Sequence, residues 1–163
     1  MILLIRIVVV ESGMLIKVSG QTFREVNRVL VTKNLCDELG HMNIQHYYAT
    51  LSDGMFMVMA LVGIPKEDIP IRRTSFALYK EEAEFFEELK EGDEFYMATA
   101  LAHIGTKSII FENRFFSASD DHLLFRAKFI SVFMDLDSRA SISIPEKVKA
   151  ALLMEIPKYI ESD

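Results

Sequence analysis

From Gln45 to Val62 the chain is apolar around most of a helical circumference. Tyr47, Leu51, Met55, Val58 and Val62 recur at three- and four-residue steps, the spacing of one face of an α-helix, and Tyr48, Phe56, Met59 and Ala60 widen that face. A helix with so little polar surface has to be covered on most sides. Gly63 suits a left-handed C-terminal cap, and Pro65 cannot continue the helix. The rest of the chain must therefore wrap this segment.

Downstream of the helix the chain has the texture of long strands. Phe95 to His103, Lys107 to Ser117 and His122 to Asp135 alternate, and Phe23 to Thr32 does the same upstream. Thr74 to Leu89 carries good helix formers in Lys80-Glu81-Glu82-Ala83-Glu84. Against them stand Phe76, Leu78, Phe85 and Phe86 and the turn at Lys90-Glu91-Gly92-Asp93, so this stretch reads as a strand. The acidic run from Glu81 to Glu91 reads as a solvated face. Ala98, Ala100 and Ala102 give one strand a small-residue face against which a helix can lie close. Near the end, Ser143 and Glu146 have capping-box spacing with Pro145 between them, and Val148, Leu152 and Ile156 form a single stripe. The expected architecture is α+β: a long antiparallel sheet wrapped around one central apolar helix, closed by a short C-terminal helix.

With 163 residues and half of them apolar, the chain is long enough for one sizeable core, and residues 21–163 read as one domain. Residues 1–20 stand apart. The first ten are apolar save Arg6, and they are either an extra edge strand or an upstream extension if Met14 is the start. They are too short to span a bilayer, and nothing later approaches a transmembrane run. The expectation is a soluble, cytoplasmic protein without a membrane partner. Eighteen Lys and Arg against 24 Asp and Glu leave a net charge of −6, which argues against a nucleic-acid binder. A single cysteine, Cys36, precludes an intramolecular disulfide and suits a reducing compartment.

The chemistry is concentrated just before the apolar helix. Asp37, His41 and Asn43 fall within seven residues, and Gly40 permits a tight turn among them. A carboxylate beside a helix start combines a base or nucleophile with free backbone N–H donors, here roughly Ile44 to His46. That pairing suits attack on a carbonyl. The bland alternatives are specific too: Asp37 capping a turn, His41 as a satisfied structural histidine, Asn43 as the helix N-cap. His41 and His46 do not share a helix face and Cys36 lacks a CxxC partner, so no metal site is expected. Cys36 reads as a small buried hydrophobe. Met55, Met57 and Met59 with Phe56 are either core or the wall of an apolar ligand pocket. Arg72, Arg73, Lys107 and Ser108 are either exposed strand-end residues or anion partners.

Asp37-Glu38-Leu39-Gly40-His41-Met42-Asn43, with Tyr47-Tyr48 inside the helix, resembles the Asp-x-x-Gly-His-x-Asn motif of hot-dog-fold acyl-CoA thioesterases, in the 4-hydroxybenzoyl-CoA thioesterase-like branch. Gly92-Asp93, Gly105-Thr106-Lys107-Ser108 and Ile144-Pro145-Glu146 match in kind and order, so the resemblance runs from about Arg24 to Leu153. It implies the hot-dog fold and an acyl-CoA substrate. It also implies a homodimer, or a homotetramer, with two sites at the subunit interface. The residue matching Asp37 is catalytic, with His41 and Asn43 beside it; Gly40, Ile44, Tyr47, Tyr48, Arg73, Lys107 and Ser108 are the expected substrate contacts. No cofactor is implied. The seventh position after the aspartate, often His or Tyr in relatives, is Ile44 here, which shifts weight to His41 and Asn43. Two other readings share the fold: a non-catalytic acyl-CoA or small-ligand binder, and a hydratase or dehydratase, whose Gly-Asp-x-Asn-Pro pattern this chain lacks.

Overall fold

The computed structural model describes residues 14–160, so the strand expected between Ile2 and Val18 is described only in its last part. Helix α1 spans Ile44–Leu61, one residue earlier at each end than its apolar pattern suggests. Its C-terminus is closed by Gly63 at φ 81°: the Ile64 N–H donates to the Met59 carbonyl at 2.8 Å and the Gly63 N–H to Ala60 at 3.1 Å. This is the pair of hydrogen bonds of a glycine-capped helix end.

Six strands, β1 (Leu15–Val18), β2 (Gln21–Leu30), β3 (Thr74–Phe85), β4 (Glu94–Ile104), β5 (Ser108–Ser117) and β6 (Leu123–Asp135), form one antiparallel sheet in the order β1-β2-β4-β5-β6-β3. Between α1 and β3 lies the one-turn helix α2 (Ile69–Arg72); α3 (Glu146–Glu155) comes after the sheet. The face made by Met97, Leu101, Phe111, Phe115, Phe125 and Phe129 packs with Leu51 and Val58 of α1 in one apolar core. This is the hot-dog arrangement expected from the sequence.

Two local expectations are corrected. Ala98 and Ala100 face away from α1, in a second cluster with Phe23, Tyr96, Phe116 and, at its edge, Tyr159. The close approach is made by the helix instead: a Cβ at Gly54 would run into Met97 Sδ and lie 3.1 Å from Val26 Cγ2. Nor does a capping box open α3. Pro145 occupies the N-cap position without a side-chain cap, and Glu146 pairs with Lys149 at 3.0 Å rather than reaching back to Ser143.

The outer strand β3 decides what lines the groove beside α1. Its pairing with β6 shifts between Leu78 and Lys80, leaving Tyr79 as an extra residue. Opposite the inward-facing Phe125, Ala127, Phe129, Ser131 and Phe133 of β6 stand Phe85, Ala83, Glu81, Leu78 and Phe76. The bulge thus keeps Phe76 and Leu78 on the same face as Phe85 although their spacing has changed parity. It also turns Glu81 inward, so the expectation of a wholly solvated acidic run fails at this residue.

Candidate active site at the start of the central helix

After β2 the chain makes a short 3-10 turn at Lys33–Leu35, and Cys36 and Met42 then bridge antiparallel to close the loop that carries the polar cluster. Within it the Gly40 N–H donates to the Asp37 carbonyl at 3.0 Å, and Gly40 sits at φ 83°, where a side chain would strain the backbone. Gly40 therefore serves the turn, and its N–H is already committed. Met42, 1 % exposed, plugs the loop into the core, and its N–H donates to the Leu89 carbonyl at 2.7 Å. The base of the cluster is rigid.

On this base the Asp37 carboxylate is held from both sides. Oδ1 accepts the Leu39 N–H at 2.9 Å and Oδ2 accepts the Asn43 amide at 2.8 Å. These donors, the Leu39 N–H foremost and then Asn43, hold the carboxyl below the ordinary aspartate range, with a smaller contribution from His41. The turn-capping role of Asp37 is thus real, and it leaves lone pairs on both oxygens. Asn43 caps α1 as the sequence suggests: its Oδ1 accepts the Gln45 N–H at 3.0 Å. One amide therefore caps the helix and positions the carboxylate.

His41 meets Asp37 through the backbone, the Asp37 N–H donating to the His41 carbonyl at 3.1 Å, but its imidazole makes no hydrogen bond to the carboxylate. Its Nδ1 faces the Met42 carbonyl at 3.3 Å, a hydrogen bond only if Nδ1 carries the proton, so it is Asn43 that orients the aspartate. The three expected N–H donors are also reduced. Gln45 N–H is taken by the Asn43 side chain and His46 N–H by the Asn43 carbonyl at 3.0 Å, whereas the Ile44 N–H has no acceptor among the described residues.

Beside the cluster is a cavity of about 280 Å³ lined by His41, Met42, Ile44, Tyr47, Phe85 and Phe86, with Glu87 and Glu88 at its rim. Tyr47 is fixed in its wall by stacking on Phe115 at 5.8 Å and by edge contact with Phe85 at 5.1 Å. Farther along α1 lies a second, separate cavity, also about 280 Å³ and mainly apolar, where Met55, Phe56 and Met59 face Phe76 and Leu78 with Tyr48 at the near end. Met57, grouped with these methionines from the sequence, is instead 51 % exposed. Sequence reasoning misses Phe85, Phe86 and Met42 as lining residues, because their only signal is apolar character beside a turn or a motif.

Arg73, Lys107 and Ser108 stand at the other end of the sheet. Arg73 pairs with Asp137 at 2.8 Å, and Lys107 donates to the Ser141 carbonyl at 3.0 Å. From Phe125, opposite Phe85, to Asp135, opposite Thr74, is ten steps of β6, about 33 Å at the usual strand rise. Within one chain these residues and Asp37 do not meet. Among the described residues, no three His, Cys, Asp or Glu side chains are grouped so as to hold a metal ion, and no single helix is long and apolar enough to cross a membrane.

The fold is shared with solved structures at low sequence identity. A protein from Staphylococcus aureus, SAV2348, solved in complex with CoA, superposes with a TM-score of 0.76 at 16 % identity, over 86 % of this chain and 91 % of that one. Slr0204 from Synechocystis, a 1,4-dihydroxy-2-naphthoyl-CoA thioesterase, gives 0.69 at 15 %, over 77 % and 93 %. BH1999, a gentisyl-coenzyme A thioesterase, gives 0.69 at 18 %, over 77 % and 98 %. No curated protein matches the chain by sequence. The model of the thioesterase-like superfamily, however, matches residues 31–152, from just before the polar loop to the last helix. On that match, which takes in the candidate site and strands β3 to β6, the chain belongs to the thioesterase-like superfamily.

Proposed function

We propose that the protein hydrolyses an acyl-CoA thioester to a carboxylic acid and free CoA, as a member of the 4-hydroxybenzoyl-CoA thioesterase-like branch. The observation that carries this reading is the Asp37 carboxylate, oriented by two N–H donors beside a helix start whose first N–H is unused, next to a cavity walled by Ile44, Tyr47 and Phe85. The thioester carbonyl oxygen accepts the Ile44 N–H, aided by the helix dipole. Asp37 then attacks the carbonyl carbon, expelling CoA thiolate and leaving an anhydride that water opens, or it takes the proton of a water that attacks directly. With Nδ1–H directed at the Met42 carbonyl, His41 Nε2 is an acceptor for that water. The CoA-bound structural neighbour and the two CoA thioesterases of the same fold support the substrate class.

The active unit on this reading is a homodimer. Strand β3 is a twelve-residue outer strand, and Leu78, Tyr79, Phe85 and Phe86 on and just after it are exposed. An edge of this kind invites pairing with a second chain. Antiparallel pairing of β3 with its own copy turns the partner's Arg73 toward Phe85 and the Asp37 loop. The partner's Lys107 lies two strands farther in, about 10 Å at the usual strand spacing. The phosphates of CoA then have cations that one chain alone does not bring to the site.

The test is thiol release from a panel of acyl-CoAs by wild type and Asp37→Asn, with unfolding curves for both. Turnover by the wild type that collapses in a folded Asp37→Asn supports the reading. Equal activity in both removes Asp37 from the mechanism, and no release from any ester leaves a binding protein. After single turnover in ¹⁸O water, label in Asp37 identifies it as the nucleophile; label only in the product acid identifies it as the base. Sedimentation of the wild type and Tyr79→Lys tests the dimer, which the added charge on β3 should dissociate.

A further inference from the structure

Two cavities with no lining residue in common lie in line beside α1. On the Asp37 side lies the opening walled by Ile44, Tyr47 and Phe85; on the far side lies the inner cavity between Met55, Met59, Phe76 and Leu78. Tyr48 comes between these two sets of residues along α1, and Glu81 comes between Phe85 and Leu78 on the inward face of β3. Their side chains meet between the two cavities, where the Tyr48 hydroxyl donates a hydrogen bond to Glu81 Oε1. That bond, with burial, pushes the Tyr48 hydroxyl up to about 12. Glu81 is a carboxylate in a row of otherwise apolar side chains, Phe76, Leu78, Ala83 and Phe85. The bulge at Tyr79 puts it there.

We propose that the Tyr48–Glu81 pair is a bar across the acyl groove that selects aliphatic acyl chains by length, an inference that rests on the thioesterase reading above. From Ile44 to Tyr48 the helix rises about 6 Å, the span of four or five carbon–carbon bonds. Shorter acyl groups end before the bar. An acyl group of about six carbons reaches it and must part the pair, losing a hydrogen bond to a charged acceptor that is worth roughly ten- to a hundredfold. Each methylene placed in the inner cavity returns about fourfold. Two to four carbons beyond the bar therefore offset its opening, and saturated medium-chain acyl groups are the substrate class that fills the inner cavity. Catalytic efficiency against chain length falls near six carbons and rises again beyond.

The experiment uses the full chain as wild type, Tyr48→Phe, Glu81→Ala and the double variant. It measures kcat/KM for straight-chain acyl-CoAs from two to twelve carbons, and calorimetric binding of the matching S-alkyl-CoA thioethers, which cannot be hydrolysed. The expected wild-type profile has two lobes. Both single variants fill the dip, gaining roughly tenfold or more at six carbons relative to two, and the double variant gains no more than either, because all three lose the same bond. A smooth wild-type profile, or variants that shift every chain length by one factor, overturns the bar and leaves the thioesterase standing. Thioethers that fail to bind at every length, with no ester cleaved, overturn the thioesterase reading and the bar with it.

Discussion

Replacing Asn43 by alanine removes two hydrogen bonds from different levels of the structure, the cap on the Gln45 N–H and the amide bond to Asp37 Oδ2. The cap alone contributes about 1 kcal/mol, which for a domain of this size lowers the melting temperature by about 2–4 °C. The second bond sets where the carboxylate points, and about an ångström of misplacement at a reacting group costs about a hundredfold in rate. Asn43→Ser separates the two effects. Serine caps a helix as well as asparagine, but its hydroxyl is too short to cap and hold Asp37 together. The expected result is a melting temperature that regains the cap's share of the loss relative to Asn43→Ala, with kcat/KM still about a hundredfold down. Asn43→Asp keeps the cap and sets a second carboxylate against Asp37; the two titrate as a pair, and one holds its proton to higher pH. Its stability therefore improves as pH falls, opposite in sign to wild type. Thermal unfolding and thiol release on the same preparations decide the matter. If Asn43→Ser turns over like wild type, Asn43 is a cap only and the positioning argument is wrong.

The Asp37 carboxyl is held below its ordinary range, so its bonds stabilise the fold above the unfolded pKa of about 4, and that contribution fades as pH falls through the lower folded value. Accordingly the limb of kcat/KM that belongs to Asp37 should lie below about pH 4, and its loss in a folded Asp37→Asn checks the assignment. Gly54→Val forces side-chain atoms into Met97 and Val26 and should cost about 1–3 kcal/mol in urea unfolding; an unchanged midpoint would mean α1 can lift from the sheet freely. Glu112 is 3 % exposed and pairs with Arg114 at 2.9 Å. Arg114→Met takes the guanidinium from that carboxylate, with Lys128 standing opposite it on β6, and should cost about 1.5–3 kcal/mol. The double replacement Glu112→Leu with Arg114→Leu should cost clearly less, which calorimetry of both variants checks.

The features legible in the sequence are those that depend on near neighbours. The apolar face of α1, the Gly63 cap and Asn43 at the helix start are set by residues within a turn or two, and all appear in the structure as their spacing suggests. The six-strand arrangement arises because a helix apolar nearly all round leaves the alternating segments little choice but to wrap it. Legibility fails where one side chain's rotamer or the strand order decides. Three N–H groups look free at the start of α1 until Asn43 occupies one with its side chain and another with its carbonyl. Arg73 and Lys107 look like neighbours of Asp37 until the order β2-β4-β5-β6-β3 sends their ends apart. Alternation likewise does not say which face of β4 meets the helix, so Ala98 and Ala100 suggest a close approach that Gly54 makes instead. The sharpest case is β3. Its inward apolar residues are even-numbered at Phe76 and Leu78 and odd-numbered at Ala83 and Phe85, a change of parity that a regular strand cannot make. One extra residue between them restores the alternation, and that same residue turns Glu81 from the solvated side to the groove, where it meets Tyr48. A charged residue sharing the parity of the later apolar pair, just after a parity break, is the one sign in the sequence that the acidic run contains a member facing inward.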